Sequence, residues 1–134
     1  MSRILLDTHL LLWAVAEPRK LPAGARSRIT QAEVFVSAAS IWEVSIKAAL
    51  GKLAADPAEL LAEIEPAGFS LLPVTGEHAA AVAQLPAVHA DPFDRMLVAQ
   101  AKTEPLVLLT NDVVLAGYGD CVELVAPKPR RPRP

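Results

Sequence analysis

Apolar residues along this chain fall into short runs and helical stripes, and the two alternate from one end to the other. Arg3–Leu6 is a brief apolar run stopped by Asp7, the pattern of a buried strand. Thr8 to Glu17 is apolar at most positions, which predicts a buried helix ended by Pro18. A second helix is expected from Pro22 to Gln31, and the β-branched and aromatic Val34-Phe35-Val36 predicts a second strand. Ser37 or Ser40 is suited to cap a helix running to Leu50, with Gly51 as its stop. Asp56-Pro57 opens a further helix to about Glu65, since proline fits the first helical turn. Ser70–Val74 predicts a third strand, and Thr75 or Glu77 begins a helix to Leu85. The clearest helix starts at Asp91-Pro92, where Phe93, Met96, Leu97, Gln100 and Ala101 recur along one helical face. Leu106–Leu109 predicts a strand leading to Thr110-Asn111-Asp112, and Val122–Val125 a last edge strand. Strands separated by helices imply an α/β protein with a parallel sheet covered on both faces. In such sheets ligands bind beyond the carboxyl ends of the strands.

A chain of 134 residues fits one domain, and 52% hydrophobic content excludes disorder for its body. We divide it into a domain over residues 1–126 and a basic Pro/Arg-rich tail over 127–134, expected to be disordered. The tail reads as a solubilising terminus in preference to an RNA-touching arm. It holds four of the 13 positive charges, and subtracting them from the net −2 leaves −6 on the rest. A sheath of basic residues for phosphate is therefore missing. An acidic body fits a carboxylate cluster that a divalent cation would neutralise, although scattered surface acids would give the same total. No apolar run approaches the ~20 residues of a membrane span, and Asp7 and His9 break the apolar start before it can serve as a signal peptide. The single Cys121 has no partner for an internal disulfide. A cytoplasmic protein with no membrane contact is expected.

The acids carry the candidate chemistry. Asp7 follows the first strand directly, and Asp112 follows the strand at Leu106–Leu109. Glu43 lies in the helix after the second strand, flanked by Ile41, Trp42, Val44 and Ile46. Asp94 lies in the first turn of the clearest helix. If the strands are parallel and central, all four acids can meet at one sheet edge. Like charges so close raise one another's pKa unless a cation intervenes. Hard carboxylate oxygens suit Mg²⁺ or Mn²⁺, and no Cys or His cluster argues for zinc. Such ions activate water and stabilise charge on a phosphodiester under in-line attack. Each acid also has a duller explanation. Asp7 and Asp112 can be turn or cap residues, Glu43 can pair with Lys47 four residues on, and Asp94 can simply favour the helix dipole. Asp91, before Pro92, reads as an N-cap before it reads as a ligand. Arg95 is spaced to pair with Asp91 or to meet phosphate.

Four segments together resemble a known family. Ile4-Leu5-Leu6-Asp7-Thr8-His9, Val36-Ser37-Ala38-Ala39-Ser40-Ile41-Trp42-Glu43, the block from Asp91-Pro92-Phe93-Asp94-Arg95 to Ala101, and Leu109-Thr110-Asn111-Asp112 are similar to the PIN-domain ribonucleases. More narrowly they resemble the VapC-like toxins of bacterial toxin–antitoxin pairs. The likeness runs from about Arg3 to Val125. It implies a three-layer α/β/α sandwich with a short, mostly parallel central sheet, and cleavage of RNA with Mg²⁺ or Mn²⁺. It places Asp7, Glu43, Asp94 and Asp112 as metal-binding and catalytic acids, with Thr8, Ser37 and Asn111 as polar neighbours that orient water or carboxylates. Asp91 and Arg95 match the block as supporting residues. A homodimer and a cognate antitoxin, with a basic residue near Glu43 or Asp94, are the implied protein partners. The helix after Thr8 and the segment from Ser45 to Lys52 are expected to form the antitoxin groove.

His9 reads as a substrate contact or a partly buried helix-start histidine, His78 and His89 as surface residues, and Trp13 and Trp42 as core or dimer-interface residues. With 4% aromatic residues there is no base-stacking platform. A phosphotransfer receiver would need an acceptor Asp after the third strand, and Ser70–Thr75 has none. An Asp-x-Asp phosphatase would need a second acid at His9. A catalytically inactive PIN-like interaction module, binding a protein partner or RNA, is the remaining alternative.

Overall fold

The computed structural model describes residues 2–125, so the expected tail over 127–134 lies outside the described residues. Five strands form one sheet: β1 (Ser2–Leu6), β2 (Ala32–Ser37), β3 (Ser70–Leu72), β4 (Val107–Thr110) and β5 (Val122–Leu124). Their order is β3-β2-β1-β4-β5, and all four pairings are parallel. The helices are α1 (Thr8–Ala16), α2 (Ala23–Gln31), α3 (Ala38–Ala49), α4 (Pro57–Ile64), α5 (Gly76–Ala81) and α6 (Pro92–Thr103). Short 3₁₀ turns occupy Pro18–Lys20, Val82–Gln84 and Val113–Tyr118.

The alternation of side chains along each strand divides the core into two halves. Ile4 and Leu6 of β1, Val34 and Val36 of β2 and Leu109 of β4 pack with Leu10, Leu11, Val44, Leu60 and Ile64 on one face. Leu5 and Leu108, pointing the other way, pack with Leu97, Val98, Ala101, Leu115 and Tyr118. The result is a three-layer α/β/α sandwich. Ile4, Leu5 and Leu6 are all fully buried, which is why β1 reads as a continuous apolar run and not as an alternating one.

The sequence-predicted elements are present, with their ends adjusted by caps. Ser37, and not Ser40, caps α3 by accepting the Ala39 N–H at 2.9 Å. Thr75 caps α5 in a reciprocal box, donating its own N–H to His78 Nδ1 while its hydroxyl accepts the His78 N–H. The helix expected to reach Leu85 tightens to a 3₁₀ turn after Ala81. Gly51, with φ of 70°, adopts the left-handed geometry that stops α3.

Several expectations for single residues are corrected. His78 is 1% exposed, not a surface residue, because it crosses between two helices to reach Glu104 Oε2 at 2.5 Å from Nε2. His9 is exposed and not partly buried, since the side chain of the second residue of α1 turns away from the sheet. Trp13 packs half-buried against the core, but Trp42 is 63% exposed and so is no core residue. Its ring meets Phe93 edge-on at 5.2 Å.

Candidate active site

The order β3-β2-β1-β4-β5 sends the connections after β1 and β4 to opposite faces of the sheet, opening a crevice at their carboxyl ends. Asp7 occupies that crevice. Its backbone N–H donates to Leu109 O at 3.0 Å, continuing the β1–β4 ladder by one rung. Its carboxylate caps α1 through the His9 N–H (2.7 Å), and its second oxygen accepts the Thr110 hydroxyl at 2.8 Å. Burial pushes this carboxyl above its ordinary value, with Glu43 adding to the rise and the Thr110 and His9 hydrogen bonds opposing it. Thr8, next along, is buried and donates its hydroxyl to Ser40 Oγ at 2.8 Å, tying the start of α1 to the first turn of α3. Ser37, at the end of β2, is fully buried and sets where α3 begins.

Glu43 stands one turn beyond Ser40, 5% exposed. One oxygen accepts from Lys47 Nζ at 2.6 Å, so the expected i,i+4 pair exists, but the other, Oε1, is buried without a hydrogen-bond partner. A buried carboxylate oxygen is costly to leave unpaired, and here it lies beside Asp7 and Asp94. The Lys47 ammonium is held above its ordinary pKa, first by its bond to Glu43 and further by Asp91 and Asp94, with burial opposing.

Asp91 is the cap of α6, accepting N–H groups from Phe93 (2.8 Å) and Asp94 (3.1 Å), as its position before Pro92 predicts. Asp94 projects from the first turn of that helix. Its carboxyl is raised to about 7, chiefly by burial, then by the neighbouring Asp7 and Asp91 carboxylates and more weakly by Glu43, with His89 opposing. Asp112 caps the 3₁₀ turn after β4 through the Val114 N–H at 3.0 Å, while its own N–H donates to Thr110 Oγ1. Thr110 is thus shared by Asp7 and Asp112. Asn111 is half-buried between Thr110 and Asp112, its side chain outside this network.

The four acids therefore face one crevice, which is the arrangement the strand-end positions predict. What sequence reasoning missed is His89. It is not a surface residue: its Nε2 stands 3.5 Å from both Asp94 Oδ2 and Asp112 Oδ2, with the ring only 22% exposed. One ligand-type atom from each of His89, Asp94 and Asp112 lies within 4.8 Å of the others. The one hint in the sequence is position, two residues ahead of the Asp91-Pro92 cap. Arg95 meets neither Asp91 nor the open crevice. Its guanidinium turns back along α6 to the carbonyls of Val82, Pro86 and His89 and to the Tyr118 hydroxyl. The fork geometry of arginine suits several acceptors at once, and that won over an exposed i,i+4 pair.

A cluster with a raised carboxyl and an orphaned buried carboxylate oxygen holds more acid than the Lys47 ammonium alone offsets, and its acidic donors are hard oxygens. The residues present fit a divalent cation such as Mg²⁺ or Mn²⁺. Beside them, Ala38, Ala39, Trp42, Val74, Val82, Phe93 and Met96 line an apolar groove of about 600 Å³ between α3, α5 and α6. It is formed by other residues than α1 and Ser45–Lys52, where a groove was expected.

An α/β sandwich with carboxylates gathered at the carboxyl edge of its parallel sheet defines a class of acid-site proteins. Within that class the chain belongs to the PIN domain family, whose model matches residues 4–119. Among curated proteins, none matches the sequence. Solved structures share the fold at low identity. A VapBC2 complex of Rickettsia felis bound to a promoter DNA fragment has a TM-score of 0.66 at 12% identity, over 94% of this chain and 99% of that one. A DNA-bound VapBC of Salmonella typhimurium has a TM-score of 0.66 at 19% identity, over 94% and 98%. FitAcB of Neisseria gonorrhoeae has 0.56 at 24% identity, over 84% and 89%. No helix among the described residues is long and apolar enough to cross a membrane.

Proposed function

We propose that this protein is a metal-dependent ribonuclease that hydrolyses RNA phosphodiester bonds and serves as the toxin of a toxin–antitoxin pair in the cytoplasm. The observation that carries the reading is the acid cluster that Lys47 only partly offsets: Asp94 raised to about 7 among Asp7, Asp91 and Glu43, beside a buried Glu43 oxygen with no partner. Asp7, Asp94 and Asp112, with Glu43, would hold Mg²⁺ or Mn²⁺. Bound there, the ion supplies an activated water and charge stabilisation on the phosphate. The chain's own groups supply orientation. Thr110 anchors the Asp7 carboxylate, the Thr8–Ser40 bond fixes α3 against α1, and Glu43 Oε1 is left without a hydrogen-bond partner beside Asp7 and Asp94. Lys47, two-fifths exposed at the rim, holds Glu43 in an ion pair at 2.6 Å and adds positive charge where the RNA backbone arrives.

Complexes named VapBC and a toxin–antitoxin complex from Klebsiella pneumoniae share this fold. By that likeness we assign the apolar groove around Trp42 and Phe93 to an antitoxin segment. An arginine on that segment would reach Asp94 or Glu43 in place of phosphate, since its planar fork can bind two carboxylate oxygens. A second copy of the chain is assigned to the apolar surface of Leu61, Leu71 and Ile41 along the β3 edge.

Incubation of the purified protein with total RNA, in Mn²⁺ or Mg²⁺ and in chelator, with mapping of the cut ends, tests the activity. Cleavage that needs the ion and is lost in Asp7→Asn is expected. A folded wild type that binds RNA without cutting it under either ion would favour the interaction module instead.

A further inference from the structure

His89 is placed too firmly to be incidental. Its N–H donates to the Tyr118 hydroxyl at 3.1 Å, and the Arg95 guanidinium donates to the same hydroxyl at 3.2 Å and to Pro86 O at 3.1 Å. The loop is also pressed onto the 3₁₀ turn after β4. A Cβ on Gly117 would come within 2.8 Å of Val88 Cγ1, so only glycine permits this approach. Two elements thus fix the backbone that aims the imidazole into the acid crevice.

The ring can serve there in one of two ways, and one hydrogen bond separates them. A neutral histidine that ligates a metal through Nε2 must carry its proton on Nδ1. Here Nδ1 accepts the backbone N–H of Asp91 at 3.0 Å. A proton on Nδ1 would face that N–H head-on, so the proton belongs on Nε2. The Nε2–H then points between Asp94 and Asp112, 3.5 Å from each carboxylate. The Asp91 N–H cannot swing aside cheaply, because the Asp91 side chain simultaneously caps α6.

We infer that His89 is a hydrogen-bond donor to the substrate phosphate, and not a ligand of the metal, despite lying among the ligands. The inference rests on the nuclease reading for the identity of the phosphate, but not for the protonation of the ring. In the free protein the Nε2–H faces two acceptors. Once those carboxylate oxygens serve a cation, the Nε2–H is left for a phosphate oxygen, where a donor that is not a ligand adds to binding without competing for the ion.

Long-range ¹H–¹⁵N spectra of the full chain labelled at histidine read the ring directly. Nδ1 is expected to stay unprotonated and Nε2 protonated before and after Mg²⁺; transfer of the proton from Nε2 to Nδ1 on adding Mg²⁺ overturns the inference. A cleavage-resistant phosphorothioate RNA oligomer, with the Mg²⁺-loaded protein, reads the phosphate contact. His89→Ala should bind it about 10- to 100-fold more weakly, and His89→Gln, which keeps an N–H donor, should recover part of the loss. The Mg²⁺-induced rise in Tm should survive in His89→Ala. Equal binding by His89→Ala, loss of that rise, or a wild type that does not bind the oligomer each overturns the assignment. A wild type that binds the oligomer yet cuts no unmodified RNA refutes the nuclease reading instead, with the ring's role as phosphate donor intact.

Discussion

Asp94→Asn should stabilise the metal-free protein and weaken the metal-bound one, a reversal that isolates the charge of the cluster. The Asp94 carboxyl stands at about 7 against an ordinary 3.8, because burial and the Asp7 and Asp91 carboxylates disfavour its ionised form. A carboxyl raised in the folded state contributes stability that is complete below its unfolded value and is lost as pH rises through about 7. Undiminished, that difference is worth about 4 kcal/mol. Water entry and side-chain relaxation reduce it to about 1–2 kcal/mol. Asparagine removes the charge while keeping the shape. Against this gain stands the loss of a first-turn acid from the α6 dipole, ~0.3–1 kcal/mol, which is the smaller effect. The assay is urea unfolding in chelator at about pH 4 and about pH 8, repeated at pH 8 with Mn²⁺. In chelator the variant should gain on the wild type as pH rises. With Mn²⁺ the wild type should overtake it, since binding to the folded state alone adds ~2.7 kcal/mol at a hundredfold excess over Kd. A variant less stable than wild type in chelator at pH 8, or a gap that does not change with pH, would refute the reasoning.

Other substitutions separate cap, loop and core. Asp91→Ser should be near neutral in stability and activity while Asp91→Ala loses about 1 kcal/mol, because the role of Asp91 is to accept the Phe93 and Asp94 N–H groups; urea unfolding and RNA cleavage check both, and a dead, well-folded Asp91→Ser protein would mark Asp91 as a ligand. Gly117→Ala should push Val88 and the His89 loop outward, costing about 1–3 kcal/mol as overpacking does, with the His89 ring resonances as the reporter. Leu108→Ala, in a fully buried strand position facing α6, should cost about 2–5 kcal/mol in unfolding while leaving metal affinity nearly unchanged.

Features of this protein that depend on neighbours in the chain are legible in the order of its residues. A run such as Ile4-Leu5-Leu6 can only be a buried strand when polar residues bracket it, and Asp91-Pro92 marks a helix start because cap and proline act within one turn. Strands alternating with helices dictate parallel pairing, and parallel pairing brings the residues after β1 and β4 to the same edge. That is why Asp7 and Asp112 were legible as neighbours, and why Glu43 and Asp94, each in the first half of a helix beginning near that edge, could be added to them. Contacts between separate elements were set by packing instead. His78 and His89 look alike in sequence as isolated histidines without metal-ligand spacing, yet one is buried against Glu104 and the other is aimed between Asp94 and Asp112. Arg95 had an obvious partner four residues away and took carbonyls from a loop instead. Trp42 had every sequence reason to be buried and remains exposed, beside the apolar groove lined by α3, α5 and α6. Periodicity specifies which face of an element turns inward, but a side chain's partner on another element or loop is chosen by how the layers close, and no local pattern encodes that.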